Sequence, residues 1–171
     1  TGEDQIIDVA NSKMFNAWGK TDAVIGKKIH EAIPELEGQP FLQILKEVYK
    51  TGETYSATED KTLLERDGKL KTFYYDFSYK ALKNQNGEVY AILNFAKDVT
   101  DLVLAKKQIQ ENEDKYKNLA DSLPIIIWTA DKDGNVDYYN KKWYEYTGFE
   151  ELDNRKNASS KILHPDDFPK A

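Results

Sequence analysis

The sequence predicts an α+β fold whose helices accompany an antiparallel sheet, and three observations predict it. Apolar residues recur at helical spacing over roughly the first third of the chain and at every second position from about residue 54, so helices precede strands. Short polar turns, Arg66-Asp67-Gly68-Lys69 and Asn84-Gln85-Asn86-Gly87, join consecutive strand-like runs, which makes the pairing antiparallel. Finally, DVANSKMFNAWG at 8–19 is echoed by DYYNKKWYEYTG at 137–148: Asp137, Asn140, Lys142 and Gly148 each stand 129 positions after Asp8, Asn11, Lys13 and Gly19. Strand, Asn cap, helical turn and glycine thus occur twice, on either side of a long helical stretch.

Taken in order, residues 4–10 (DQIIDVA) read as a short strand, and Asn11 with Ser12 caps the turn that follows, because their side chains accept from exposed backbone N–H groups. Residues 22–33 suggest helical turns broken at Gly26 and ended by Pro34. From Pro40, well placed at a first helical position, Phe41, Ile44, Leu45, Val48 and Tyr49 fall on one helical face, and Gly52 stops the helix. Residues 54–66 form a strand. The next strand puts Phe73, Tyr75, Phe77 and Tyr79 on one face and Tyr74, Asp76, Ser78 and Lys80 on the other. Val89–Phe95 is apolar on both faces apart from Asn94, the pattern of a central strand.

The chain then turns helical at Asp98-Val99-Thr100-Asp101, with Thr100 as N-cap and Asp101 at the positive end of the helix dipole. Leu102, Ala105, Ile109, Asn112, Tyr116, Leu119 and Leu123 follow at alternating spacings of three and four, a heptad seam. Its length and lack of helix breakers favour a parallel dimeric coiled coil over packing onto one domain. Asn112, at a d position, would fix register at a cost in stability, and Asp101 would face a partner's Lys106. Residues 125–130 (IIIWTA) read as a strand, Asp131–Gly134 as a hairpin turn, and Asn135–Tyr139 as the strand leading to Asn140.

With 171 residues, 40% apolar and 12% aromatic, the chain can bury one ordinary core or two small ones. A net charge of −6 leaves no broad basic surface, which disfavours nucleic acid and acidic membranes as partners. The absence of cysteine removes disulfides, thiolate nucleophiles and Cys-based zinc sites. No leader or bilayer-spanning run is evident, so the segment reads as cytoplasmic, without membrane contact. Beginning at Thr1 and stopping at Lys170-Ala171, it reads as a piece of a longer protein.

These residues resemble the PAS family of sensory domains over nearly the whole chain. Residues 124–148 (PIIIWTADKDGNVDYYNKKWYEYTG) with His164-Pro165-Asp166-Asp167 are similar to the first half of a PAS domain. Residues 6–100, with VIGK at 24–27, TGE at 51–53, ERDGK at 65–69, the NQNGEV turn and D-V-T at 98–100, are similar to a PAS domain running into its output helix. The resemblance implies a five-stranded antiparallel sheet of order 2-1-5-4-3 with helices on one face. It also implies a PAS domain over 1–100 lacking its opening strand, a coiled-coil signalling helix over 101–123, and the N-terminal half of a second PAS domain over 124–171. A strand borrowed from elsewhere, 125–130 among the candidates, or a partly open sheet would follow.

Tested against that family, covalent flavin is excluded because it needs a cysteine. Haem is disfavoured because the helix Pro40–Lys50 carries no axial histidine, while haem through His30 and non-covalent flavin stay open. The pocket candidates are Trp18, Ile25, Phe41, Leu45, Phe77 and Phe95, residues of a kind that equally make a plain core. Of the two histidines, His164 before Pro165 suits a helix start and His30 an ordinary surface turn. No catalytic constellation, phospho-acceptor helix or ATP-lid pattern is present, so the segment itself is not an enzyme. The implied parent is a sensor histidine kinase of a two-component system, with Asp98 and Thr100 as signal junction, a homodimer through the helix, a downstream kinase or other output, and room for a small-molecule ligand. The competing readings are a passive dimerisation spacer and a PAS sensor attached to another output such as a cyclic-nucleotide synthase.

Overall fold

The computed structural model describes residue 2 and residues 4–149, so His164 and the residues after it lie outside the described residues. The chain divides between Lys106 and Lys107 into two units.

In the first unit Asn11 starts α1 (Ser12–Trp18): its Oδ1 accepts the Met14 N–H at 2.9 Å. Gly19, at φ 65°, ends the helix, and a Cβ there would overlap the Glu65 carbonyl oxygen. Only glycine meets both demands. Two short 3-10 turns, Asp22–Val24 and Pro34–Leu36, flank α2 (Ile29–Ala32). The amphipathic run becomes α3 (Phe41–Thr51), which buries Phe41, Leu45 and Val48 and stops at Gly52 in the left-handed region.

β1 (Tyr55–Arg66), β2 (Lys69–Lys83) and β3 (Val89–Asp98) form an antiparallel sheet in that order. Asp67 and Gly68, both at positive φ, make the two-residue turn between β1 and β2 with Arg66 opposite Lys69. A bulge in β1 between Ala57 and Asp60 is satisfied by Asp76, whose Oδ1 accepts the Glu59 N–H at 2.9 Å. The period-two expectation holds: Phe73, Tyr75, Phe77 and Tyr79 are all buried and meet α3 through a Phe41–Phe77 edge contact at 5.5 Å. Leu64 and Ile33 complete this core.

Two expectations are corrected here. Residues 4–10 form no strand but a single bridge, Ile6 to Lys28, flanked by Ile7 N–H to Lys27 C=O and Ile29 N–H to Gln5 C=O. A run this short becomes a strand only beside a neighbour on its other side, and no named strand pairs with it among the described residues. For the same reason β3, expected to be central, has one strand neighbour among the described residues, β2, and stands at the edge of the described sheet. The observed order is therefore the 3-4-5 half of the expected five-stranded sheet. The sequence pattern of β3 reads as central because it lacks polar alternation, yet Leu93 and Phe95 are exposed.

α4 (Thr100–Ser122) follows, with Val103 buried. Lys106 pairs with Glu59 of its own β1. In the second unit β4 (Trp128–Ala130) pairs antiparallel with β5 (Val136–Tyr139), and α5 (Lys141–Thr147) ends at Gly148. β4 is shorter than the expected 125–130 because the backbone of Ile125 and Ile127 bonds to Asn140.

Candidate functional site

Two connected features of the first unit stand out: a cavity under α1 and α3, and the junction where β3 becomes α4.

The inner cavity is about 50 Å³, lined by Trp18, Phe41 and Phe77 together with Ala17, Tyr79 and Asn94. Its size suits one or two waters. A larger slot of about 500 Å³ lies between residues 5–11 and the free side of β3, and Trp18, Leu45, Tyr79, Ile92 and Asn94 line it. Four of the six pocket candidates, Trp18, Phe41, Leu45 and Phe77, thus line one space or the other. Ile25 and Phe95 do not, which corrects the expectation. Ile25 is 38% exposed because Val24 takes the inward position of its 3-10 turn. Phe95 is 57% exposed: it stands opposite Ser78, on the outer face, whereas Ala96 and Asn94 stand opposite Phe77 and Tyr79.

Asn94 is the residue sequence reasoning missed here. Its Oδ1 is buried without a hydrogen-bond partner. The register could have found it, since a strand position two before Ala96 shares that face. Burial also raises the Tyr79 phenol above its ordinary value, so it stays protonated at every ordinary pH.

At the junction, Asp98 and Thr100 are brought together as the sequence suggests. Asp98 Oδ1 accepts the Thr100 N–H at 3.0 Å, and Thr100 Oγ1 accepts the Tyr74 N–H at 2.9 Å. Val99 N–H donates to the Tyr74 carbonyl, so the first turn of α4 is sewn to β2. The other oxygen of Asp98 lies 3.4 Å from Arg66 Nη2. That nitrogen also donates to the Ala17 carbonyl at 3.0 Å and the Tyr75 hydroxyl at 2.9 Å, and the guanidinium sits 3.9 Å over the Phe73 ring. Tyr75 donates in turn to Ala17, and burial pushes its phenol up to about 12. Arg66 therefore links the α1 wall of the cavity to the start of α4. Sequence reading placed it in a turn, and nothing local marks a contact with Ala17, 49 positions away.

Along α4 the seam residues Leu102, Ile109, Tyr116 and Leu119 are exposed, as are Ala105 and Asn112, and so is Leu123 just past its end. His30 is exposed on α2 beside Glu31. Among the described residues no group of three or more His, Cys, Asp or Glu is placed to hold a metal, and no helix is long and apolar enough to cross a membrane.

A family model described as the PAS fold matches residues 3–104, more than half of the chain. The chain belongs to the PAS family. A second model, described as a PAS domain, matches residues 114–170. This PAS chain is 26% identical over 145 residues to an uncharacterized protein, y4lL, of Sinorhizobium fredii, covering 85% of this chain and 17% of that protein. It is 30% identical over 73 residues to the peroxide stress-activated histidine kinase mak1 of Schizosaccharomyces pombe, covering 39% of this chain and 4% of that one. It thus spans under a fifth of the length of these curated relatives. A solved sensory box histidine kinase/response regulator from Burkholderia thailandensis aligns at 19% identity and a TM-score of 0.40, over 63% of this chain and 79% of that one.

Proposed function

We propose that this PAS chain is a regulatory relay: the state of the first core passes through Arg66, Asp98 and Thr100 into α4, which acts as a dimeric signalling helix. The organisation follows the sequence reading, with a sensory module over 1–100, a linker helix over 101–123 and a second module over 124–171. The observation that carries it is the position of Arg66, bonded at once to the Ala17 carbonyl on the cavity wall and to Asp98, which caps α4. Displacing α1 withdraws a partner from Arg66, and two packings of the junction differing by a few kcal/mol suffice for a switch. The seam residues on α4 find no cover within their own unit, which supports side-by-side self-association.

The output is read as a histidine kinase outside this chain, consistent with the named kinase relative, and the work of this segment is cytoplasmic regulation without catalysis. In the intact parent, Asp98→Ala is expected to leave the first core folded and to abolish the stimulus-dependent change in output. A variant regulated like wild type removes the junction from the mechanism.

One observation favours a second reading, a spacer driven by protein contacts and not by a ligand: the inner cavity under α1 and α3 is only about 50 Å³, so a small molecule of ordinary size has room only in the open slot of about 500 Å³ beside β3. Native mass spectrometry of the purified chain separates the two, because a retained flavin, haem or lipid rejects the spacer.

A further inference from the structure

The end of α4, like its start, is tied by side chains to backbone outside the helix. A helix leaves the carbonyls of its last turn without intrahelical partners, and Asn140 takes one of them: its Nδ2 donates to the Ala120 carbonyl at 2.9 Å and to the Ile125 carbonyl at 2.9 Å. Its Oδ1 accepts the Ile127 N–H at 2.9 Å, so a fully buried amide uses both donors and its acceptor. The next residue of α4, Asp121, accepts the Lys141 N–H at 2.7 Å and the Tyr138 hydroxyl at 3.3 Å on one oxygen.

These bonds exchange partners between two helices. An asparagine preceding a helix ordinarily accepts from that helix's own second or third N–H. Asn140 stands at that position before α5 and makes no such bond; its side chain holds α4 and the approach to β4 instead. The first N–H of α5 is taken in return by Asp121 of α4. Each helix end is thus completed by the other. Bonds of 2.7 and 2.9 Å are lost when their partners part by about 1 Å, so a small turn or slide of the last turn of α4 uncovers the start of α5.

We propose that Asp121 and Asn140 are the receiving junction of the relay, positioning residues that hand a displacement of α4 on to α5 and so to the second module. This rests on the reading of α4 as a signalling helix. Asn140 and Lys141 are adjacent, so one movement of α4 reaches both the segment leading into β4 and the first turn of α5. Between Thr100 and Ser122 the helix holds no glycine or proline at which a kink could absorb that movement. The path is a contiguous set of hydrogen bonds joined by one rigid element.

The test is amide exchange in the 171-residue chain, with Asp98→Ala at the entry junction as the disturbance and the amides of 141–143 as the readout. In the otherwise wild-type chain that substitution is expected to change exchange there by about threefold or more. The response is expected to vanish with Asp121→Ala and to survive with Asp121→Asn, which keeps an acceptor oxygen. Ile127, held by Asn140, reports whether the second unit stays folded in each variant. A response that persists in Asp121→Ala, or that Asp121→Asn loses, overturns the junction and leaves the relay reading standing. Loss of Ile127 protection in Asp121→Ala does the same, because it marks a structural role alone. No response at 141–143 to Asp98→Ala in the otherwise wild-type chain overturns the relay reading, and the junction with it.

Discussion

Thr100 Oγ1 accepts the backbone N–H of Tyr74 at 2.9 Å, so the first residue of α4 is pinned to the middle of β2 by a side chain. Thr100→Val keeps the shape and removes the acceptor. The expected cost is about 1 kcal/mol, read as a Tm loss of roughly 4–8 °C for a unit of this size, with faster exchange confined to the first turn of α4.

Arg66→Met removes the shared donor of Ala17, Tyr75 and Asp98 while keeping much of the stem that covers Phe73. Hydrogen bonds to a charged group of this kind contribute about 1.5–3 kcal/mol together once packing is kept. A urea midpoint should show that loss, and Arg66→Lys should recover only part of it because a lysine lacks the planar fork.

The two echo asparagines should respond differently. Asn140→Ala strands the Ile127 N–H and the Ile125 and Ala120 carbonyls, at about 2–3 kcal/mol. Asn11→Ala removes only a helix cap, at about 1 kcal/mol. Exchange at Ile127 and Met14 reports each locally.

Acid sensitivity centres on Glu35. Desolvation raises its pKa, but hydrogen bonds from its own backbone and from Lys20 and Glu65 outweigh that and hold the carboxyl below its ordinary value of 4.5. A depressed folded-state pKa stabilises the fold above the ordinary value, and that stability is lost as pH falls through the folded value. Glu35→Gln should therefore be less stable than wild type at pH 7, with the gap narrowing below about pH 4. Paired urea melts at the two pH values measure it.

Ile109→Asp places a charge in the proposed seam of α4 without touching either core. Sedimentation should show the dimer constant weakened by more than tenfold, while the circular dichroism of the first unit stays unchanged.

Much of this fold was legible locally. Alternation through Phe73–Tyr79, the Asp67-Gly68 turn, the Phe41–Val48 stripe and the caps at Asn11 and Gly52 each rest on a few neighbouring residues. What was not legible depends on partners far along the chain. Whether Val89–Phe95 is central or at an edge is decided by which strand lies beside it, and its own residues cannot say. A one-residue error of face put Phe95 in the pocket and hid Asn94. Arg66 was invisible as a junction residue because Ala17, Phe73 and Asp98 reach it only through the tertiary fold.

The glycine after α1 has a mechanical consequence. Since even a methyl group at Gly19 would overlap the Glu65 carbonyl, Gly19→Ala acts as a wedge driven between helix and sheet, forcing Ala17 away from the guanidinium beneath it. In the proposed relay that added carbon is expected to hold the junction disengaged, and regulation of the intact parent carrying Gly19→Ala, lost where wild type responds, checks it.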